Sequence, residues 1–129
     1  MYLIIILLCL ANVFAGLPPQ NPVIGVYTQA IKATKSISYI AASYVKFIEM
    51  SGAQVVPIFS FSDTEVLLEK LKKLNGVLFP GSCEFYVGGA MPFSMDNQWT
   101  RNADAILKYA MEQNRNGNPF PIFGTCLGF

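Results

Sequence analysis

The sequence Phe123-Gly124-Thr125-Cys126-Leu127-Gly128-Phe129 sets a cysteine between two glycines in a Gly-x-Cys-x-Gly pattern, entered from an apolar run that starts at Phe120. That spacing is the one found in nucleophile elbows, where a strand turns sharply into a helix. The residue types follow from the geometry. The nucleophile takes a strained backbone conformation, and side chains two positions to either side would strike the facing strand or helix. The turn lifts the thiol clear of the sheet edge. The next amide, that of Leu127, can then point at a developing oxyanion, and the positive end of a following helix favours thiolate. Five residues alone favour a buried structural cysteine beside two incidental glycines, and it is the upstream sequence that reverses this reading.

Upstream, short apolar runs alternate with amphipathic ones. Val23-Ile24-Gly25-Val26-Tyr27 follows a Pro-rich joint (17–22) and predicts a buried strand. Thr28 to Ile37 is polar and predicts a loop. Ser38 to Ser51 predicts a helix, capped by Ser38 and ended by Gly52, with Ile40, Ala41, Tyr44, Val45 and Ile48 on one side. Gln54 to Ile58 is a second strand. Ser62-Asp63-Thr64-Glu65 has capping-box spacing, and Val66, Leu67, Leu71 and Leu74 line the helix that follows. Asn75-Gly76 breaks that helix, and Val77-Leu78-Phe79 is a third strand ending in Pro80-Gly81-Ser82. Cys83 to Met95 carries no readable pattern. A third helix is predicted from about Asp96 to Asn114, with Trp99, Ala103, Ile106, Leu107 and Ala110 as its stripe. Asn116-Gly117-Asn118-Pro119 signals a turn, after which a fourth strand delivers Cys126.

Strands alternating with helices predict an α/β fold, a parallel sheet with helices on both faces. Sites in such sheets form beyond the carboxyl ends of the strands. The Pro80-Gly81-Ser82 loop and the elbow both lie there, and right-handed crossovers let both border one crevice. That convergence favours a nucleophile over an inert thiol.

At 129 residues the chain has room for one domain, and 53% hydrophobic against 13% charged residues is rich for a soluble one. Part of the excess is Met1 to Ala15, which has no charged side chain. Its apolar core is shorter than the ~20 residues a membrane span needs. With Val13-Phe14-Ala15 as a cleavage site, residues 1–15 read as a secretory leader, with an uncleaved anchor as the alternative, leaving 16–129 as the domain and no membrane association after cleavage. A formal charge of +1 gives no electrostatic case for nucleic acid. No metal or cofactor pattern occurs. Cys83 and Cys126 could pair in an oxidising compartment, which would consume the nucleophile, so both are expected as free thiols. Cys83 is read as a small apolar filler.

Four blocks in order, Tyr39 to Lys46, Gly52 to Pro57, Asn75 to Gly81 and Phe123 to Phe129, resemble the γ-glutamyl hydrolase family, cysteine peptidases with the class I glutamine amidotransferase fold. The resemblance runs from Pro22 to Phe129. It implies a flavodoxin-like three-layer sheet, cut after the nucleophile elbow. It also implies a folate poly-γ-glutamate as small-molecule substrate, with Cys126 attacking the γ-glutamyl carbonyl to form a thioester that water releases. The oxyanion would rest on the Leu127 amide and an amide of the Pro-Gly loop, at Gly81 or Ser82. Tyr39 is implied as a substrate contact, with a packing role as the alternative. The compartment implied is extracellular or a lysosome or vacuole, and a homodimer is left open for the full-length protein.

Two departures stand beside the resemblance. The family usually reads Pro-Gly-Gly where this chain has Pro80-Gly81-Ser82, and Ser82 still offers its amide. The chain also contains no His, and in the family the catalytic His and its acidic partner lie well beyond the elbow. The sequence is therefore expected to be the N-terminal part of a longer enzyme, inactive by itself and prone to aggregate. Two other readings remain open: a glutaminase domain of a cytosolic class I amidotransferase, against which the leader argues, and a catalytically dead secreted remnant. Arg101, Lys108, Lys32 and Lys35 could meet a polyanionic substrate tail, yet solvated charge is the default for each.

Overall fold

The computed structural model describes residues 20–30, 38–81 and 97–129. The expected leader, Lys32, Lys35, Ser82, Cys83 and the rest of the loop to Met95 lie outside them. The described elements are, in order, β1 (Val23–Tyr27), β2 (Gln29–Ala30), β3 (Ser38–Tyr39), α1 (Ala42–Met50), β4 (Gln54–Ile58), α2 (Thr64–Leu71), β5 (Gly76–Phe79), α3 (Gln98–Arg115) and β6 (Ile122–Gly124).

β4, β1, β5 and β6 form a parallel sheet in that order, with Gly25 opposite Val56 on one side and Val77 on the other, and Leu78 opposite Phe123. Its inner strands are apolar throughout because both faces are covered. Alternation along each strand sends neighbours to opposite faces. Tyr27, Val77 and Phe79 pack with Leu67 and Leu71 of α2, with Leu74 just beyond it, and with Trp99, Ile106 and Ala110 of α3. Val26 and Leu78 pack the other way, against Ile48 of α1. The helices on both faces and the parallel sheet are those the alternation predicted. β4 lies to one side of β1 and β5 to the other, so the order switches between β1 and β5. A crevice opens at the carboxyl ends of strands at such a switch.

Several boundaries differ from expectation. Ser38 and Tyr39 do not start the first helix; they pair antiparallel with Ala30 and Gln29, part of the segment read as a loop. That pairing satisfies backbone groups that a helical turn would have used, and α1 begins at Ala42 with Ala41 as N-cap and no side-chain cap. The N-cap of α2 is Asp63, also without a side-chain cap bond, so the predicted capping box does not form. Val66 and Leu107, placed on the apolar stripes, are 60% and 49% exposed, whereas Asn102 is fully buried. Phe120 is buried as a core residue but precedes β6. Set between Pro119 and Pro121, it is held by the Asn114 side chain, which accepts from its amide at 2.8 Å and donates to its carbonyl at 3.1 Å. Gly117 closes the turn before it at φ +79°.

Candidate active site

β6 runs into Thr125, still extended, and then into a single 3-10 turn over Cys126–Gly128. Cys126 has φ 54°, a left-handed conformation rare for a residue with a side chain, and its thiol is free and exposed. The two flanking glycines are required by the turn. A Cβ on Gly124 would collide with the Gly128 carbonyl oxygen, and one on Gly128 would collide with the Phe79 carbonyl on β5. The turn is pinned where it folds back: the Thr125 amide donates to the Phe79 carbonyl at 3.0 Å, Gly128 to Thr125 at 2.9 Å and Phe129 to Cys126 at 3.1 Å. None of these bonds draws on the Leu127 amide.

The loop after β5 passes directly against this turn. A Cβ on Gly81 would lie 2.7 Å from the Cys126 Cβ and 3.2 Å from both the Thr125 carbonyl oxygen and the Tyr44 hydroxyl. Adjacent parallel strands β5 and β6 thus carry the Pro-Gly loop and the thiol to one point, as the topology implied.

Two side chains outside the sequence-based site reach the same loop. The Tyr44 hydroxyl, from α1, accepts from the Gly81 amide at 2.9 Å. Gln29, just beyond the end of β1, donates from Nε2 to the Pro80 carbonyl at 2.9 Å. The Gly81 amide, one of the two loop amides expected to hold the oxyanion, is therefore engaged within the protein, and the other, that of Ser82, lies outside the described residues. Tyr39 is half-buried on β3, paired through its backbone with Gln29. In the sequence Tyr44 is only one member of a helix stripe and Gln29 only part of a polar segment. The signal for Gln29 was its position just past the carboxyl end of the first strand, where α/β sites gather.

Beneath the crevice the contacts are buried and polar. The Tyr27 hydroxyl donates to the Trp99 carbonyl at 2.6 Å, and burial pushes its pKa well above the usual tyrosine range. Thr28 accepts at its hydroxyl from the Ser60 amide at 3.0 Å. These bonds tie the end of β1 to α3 and to the segment after β4. Of the cations considered for a substrate tail, Lys108 pairs with Asp104 at 2.7 Å and Arg101 donates to Gln98 at 2.8 Å. Among the described residues no group of three or more His, Cys, Asp or Glu could hold a metal ion, and no helix is long and apolar enough to cross a membrane.

Comparison with known proteins gives the family of the chain. Residues 22–129 match the peptidase C26 family. The chain is 44% identical over 114 residues to the γ-glutamyl hydrolase of Mus musculus, covering 85% of this chain and 33% of that one. It is 40% identical over 113 residues to γ-glutamyl hydrolase B of Dictyostelium discoideum (84% and 30%) and 39% over 100 residues to γ-glutamyl hydrolase 1 of Arabidopsis thaliana (73% and 24%). The chain thus spans about a third or less of the length of these relatives.

Proposed function

The chain belongs to the peptidase C26 family, and from that premise we propose that it is the nucleophile-bearing part of an enzyme that hydrolyses the γ-glutamyl amide bonds of folate poly-γ-glutamates. The observation that carries the reading is the exposed Cys126 thiol, held at positive φ with Gly81 packed against it. The names of the relatives support the bond class.

In this mechanism the Cys126 sulfur, as thiolate, attacks the γ-carbonyl carbon of the substrate. The carbonyl oxygen becomes an oxyanion facing the Leu127 amide and the amide that follows Gly81. Collapse of the tetrahedral species breaks the carbon–nitrogen bond, and the leaving amine takes a proton from an imidazolium. The resulting glutamyl thioester is attacked by water, whose proton returns to the imidazole. Sulfur leaves and the free γ-carboxylate departs. The 129 residues hold no His, so the imidazole belongs to polypeptide outside them. By themselves these residues therefore turn over no substrate. Residues 1–15 support a secretory-pathway location, extracellular or lysosomal or vacuolar.

The test is incubation of the natural full-length chain with a folate pentaglutamate, products separated by chain length, beside Cys126→Ala. Stepwise or internal loss of glutamates by the parent, abolished in a folded Cys126→Ala, is the expected result. Turnover retained by that variant overturns the assignment of the nucleophile, and a parent that cleaves no γ-glutamyl bond overturns the reaction.

A further inference from the structure

We propose that Gln29 is a positioning residue for the loop that faces the nucleophile, holding the Pro80–Gly81 peptide at its carbonyl while Tyr44 holds the same peptide at its amide. The proposal rests on the hydrolase reading for its catalytic consequence, though not for the clamp itself.

Gln29 lies at the sheet's switch point, the end of β1 beside the end of β5, and is 2% exposed. Its Nε2 makes a single bond, to the Pro80 carbonyl at 2.9 Å, and its Oε1 has no hydrogen-bond partner among the described residues. A buried carboxamide with half its polar atoms unsatisfied destabilises the fold relative to an apolar side chain of the same size. The arrangement makes sense when the bond to Pro80 serves something other than stability.

Among the described residues the recipient has few other anchors. The ladder of β5 ends at Phe79, whose carbonyl is taken by the Thr125 amide, and Pro80 has no N–H to donate. The Pro80 carbonyl and the Gly81 amide belong to one planar unit and point in opposite directions. Gln29 holds one end and Tyr44, at 2.9 Å, the other. Two opposed bonds prevent the plane from turning about the chain axis.

That rotation matters because of what touches the loop. Gly81 sits so close to the Cys126 Cβ that even a methyl group would not fit, so a turn of the plane shifts the loop relative to the backbone of the elbow while the thiol stays exposed. It also changes the direction in which the chain leaves Gly81, toward the amide that the proposed mechanism uses. An oxyanion donor works only within a few tenths of an ångström of its ideal distance, and losing one costs on the order of 100-fold to 1,000-fold in turnover.

The experiment uses Gln29→Met, which keeps the volume and removes the donor, in the natural full-length chain. With a folate polyglutamate, kcat should fall about 10-fold to 100-fold while KM changes less than about threefold, as expected for an interaction that acts at the transition state. Alkylation of Cys126 by iodoacetamide, which needs no oxyanion support, should stay within about twofold of the parent. Deuterium exchange at the Gly81 amide should be slow in the parent and about tenfold faster in the variant. An unchanged kcat or an unchanged Gly81 exchange rate overturns the proposal, as does a Gly81 amide that already exchanges freely in the parent, a measurement that holds even if Gln29→Met does not fold. If the parent cleaves no γ-glutamyl substrate, the hydrolase reading fails and the clamp is judged on the Gly81 exchange rate alone.

Discussion

Gly128 lies directly over the Phe79 carbonyl, with no room for a Cβ between the elbow turn and strand β5, and a side chain there would also come within 2.7 Å of the Phe79 Cβ. The second glycine of the motif is thus set by the neighbouring strand, not by the turn's own dihedral angles.

Gly128→Ala should therefore push the turn off β5. The obstructing atoms are backbone on both sides, so relief requires moving a strand or the elbow, and destabilisation of at least about 2 kcal/mol is expected. Urea melts measure that loss. Iodoacetamide reactivity at Cys126 should change in the same variant, because the turn that exposes the thiol has moved. A melt and a reactivity like those of the parent would show that the turn accommodates the methyl group.

The strain at Cys126 has its own readout. A residue with a side chain at positive φ is disfavoured by about 1–2 kcal/mol, a penalty glycine escapes while losing about 0.5–1 kcal/mol more backbone entropy on folding. With φ at 54°, Cys126→Gly should be more stable than Cys126→Ala by about 0.5–1 kcal/mol, with neither turning over substrate. Equal midpoints in a thermal comparison would remove the strain from the account.

The element types and the convergence of two loops were legible because they depend on patterns local to each element. Val23 to Tyr27 could hardly be anything but a buried strand, and glycines flanking Cys126 specify a turn wherever a parallel sheet precedes them. What was not legible depended on partners distant in sequence. Ser38 looks like a helix cap until Gln29 and Ala30 pair with Ser38 and Tyr39. Leu107 looks like core until the sheet's position rotates the buried face of α3 toward Asn102. Tyr44 and Gln29 reach Gly81 and Pro80 across 37 and 51 residues, and no spacing rule announces either contact.

Asn102 tests the polar side of that error. It is fully buried, donates from Nδ2 to the Ser60 and Ser62 carbonyls at 2.9 and 2.8 Å, and accepts from the Thr64 hydroxyl at 2.8 Å and Gln98 Nε2 at 3.0 Å. Asn102→Ala leaves those groups unpaired and opens a cavity, so a loss of about 2–4 kcal/mol is expected in denaturant melts. A loss below about 1 kcal/mol would mean that water substitutes for the carboxamide.

Tyr27 supplies a pH signature. Burial raises its pKa in the folded state above the unfolded value of about 10. Below pH ~10 both states keep the proton and the stabilisation is whole. Above it the unfolded state releases the proton and the folded state does not, so stability falls with pH by about 1.4 kcal/mol per unit. Tyr27→Phe loses the bond to the Trp99 carbonyl, about 1–2 kcal/mol at neutral pH, but also loses this alkaline penalty. The difference between the two proteins should shrink from pH 10 upward, read from urea midpoints. Parallel curves to pH 11 would contradict the burial of an un-ionised phenol.

The last prediction concerns what residues 16–129 do alone. Phe47 on α1 and Phe123 on β6 stack at 6.4 Å between ring centroids yet are 63% and 56% exposed. Together with Tyr44 and Leu78, Phe47 and Phe123 line an apolar groove beside the elbow. β6 is also a sheet edge, with β5 as its strand partner among the described residues. An uncovered apolar face next to an unpaired edge is the combination that promotes association. Residues 16–129 expressed alone should sediment as aggregates or oligomers, and Phe47→Ser with Phe123→Thr should raise the soluble fraction several-fold. Threonine keeps the strand preference of β6 while removing the ring. In the natural full-length chain the same pair of substitutions should instead lower the melting temperature, because there the two rings are expected to be covered by polypeptide. A soluble, cooperatively melting monomer of residues 16–129 would show that this face needs no cover.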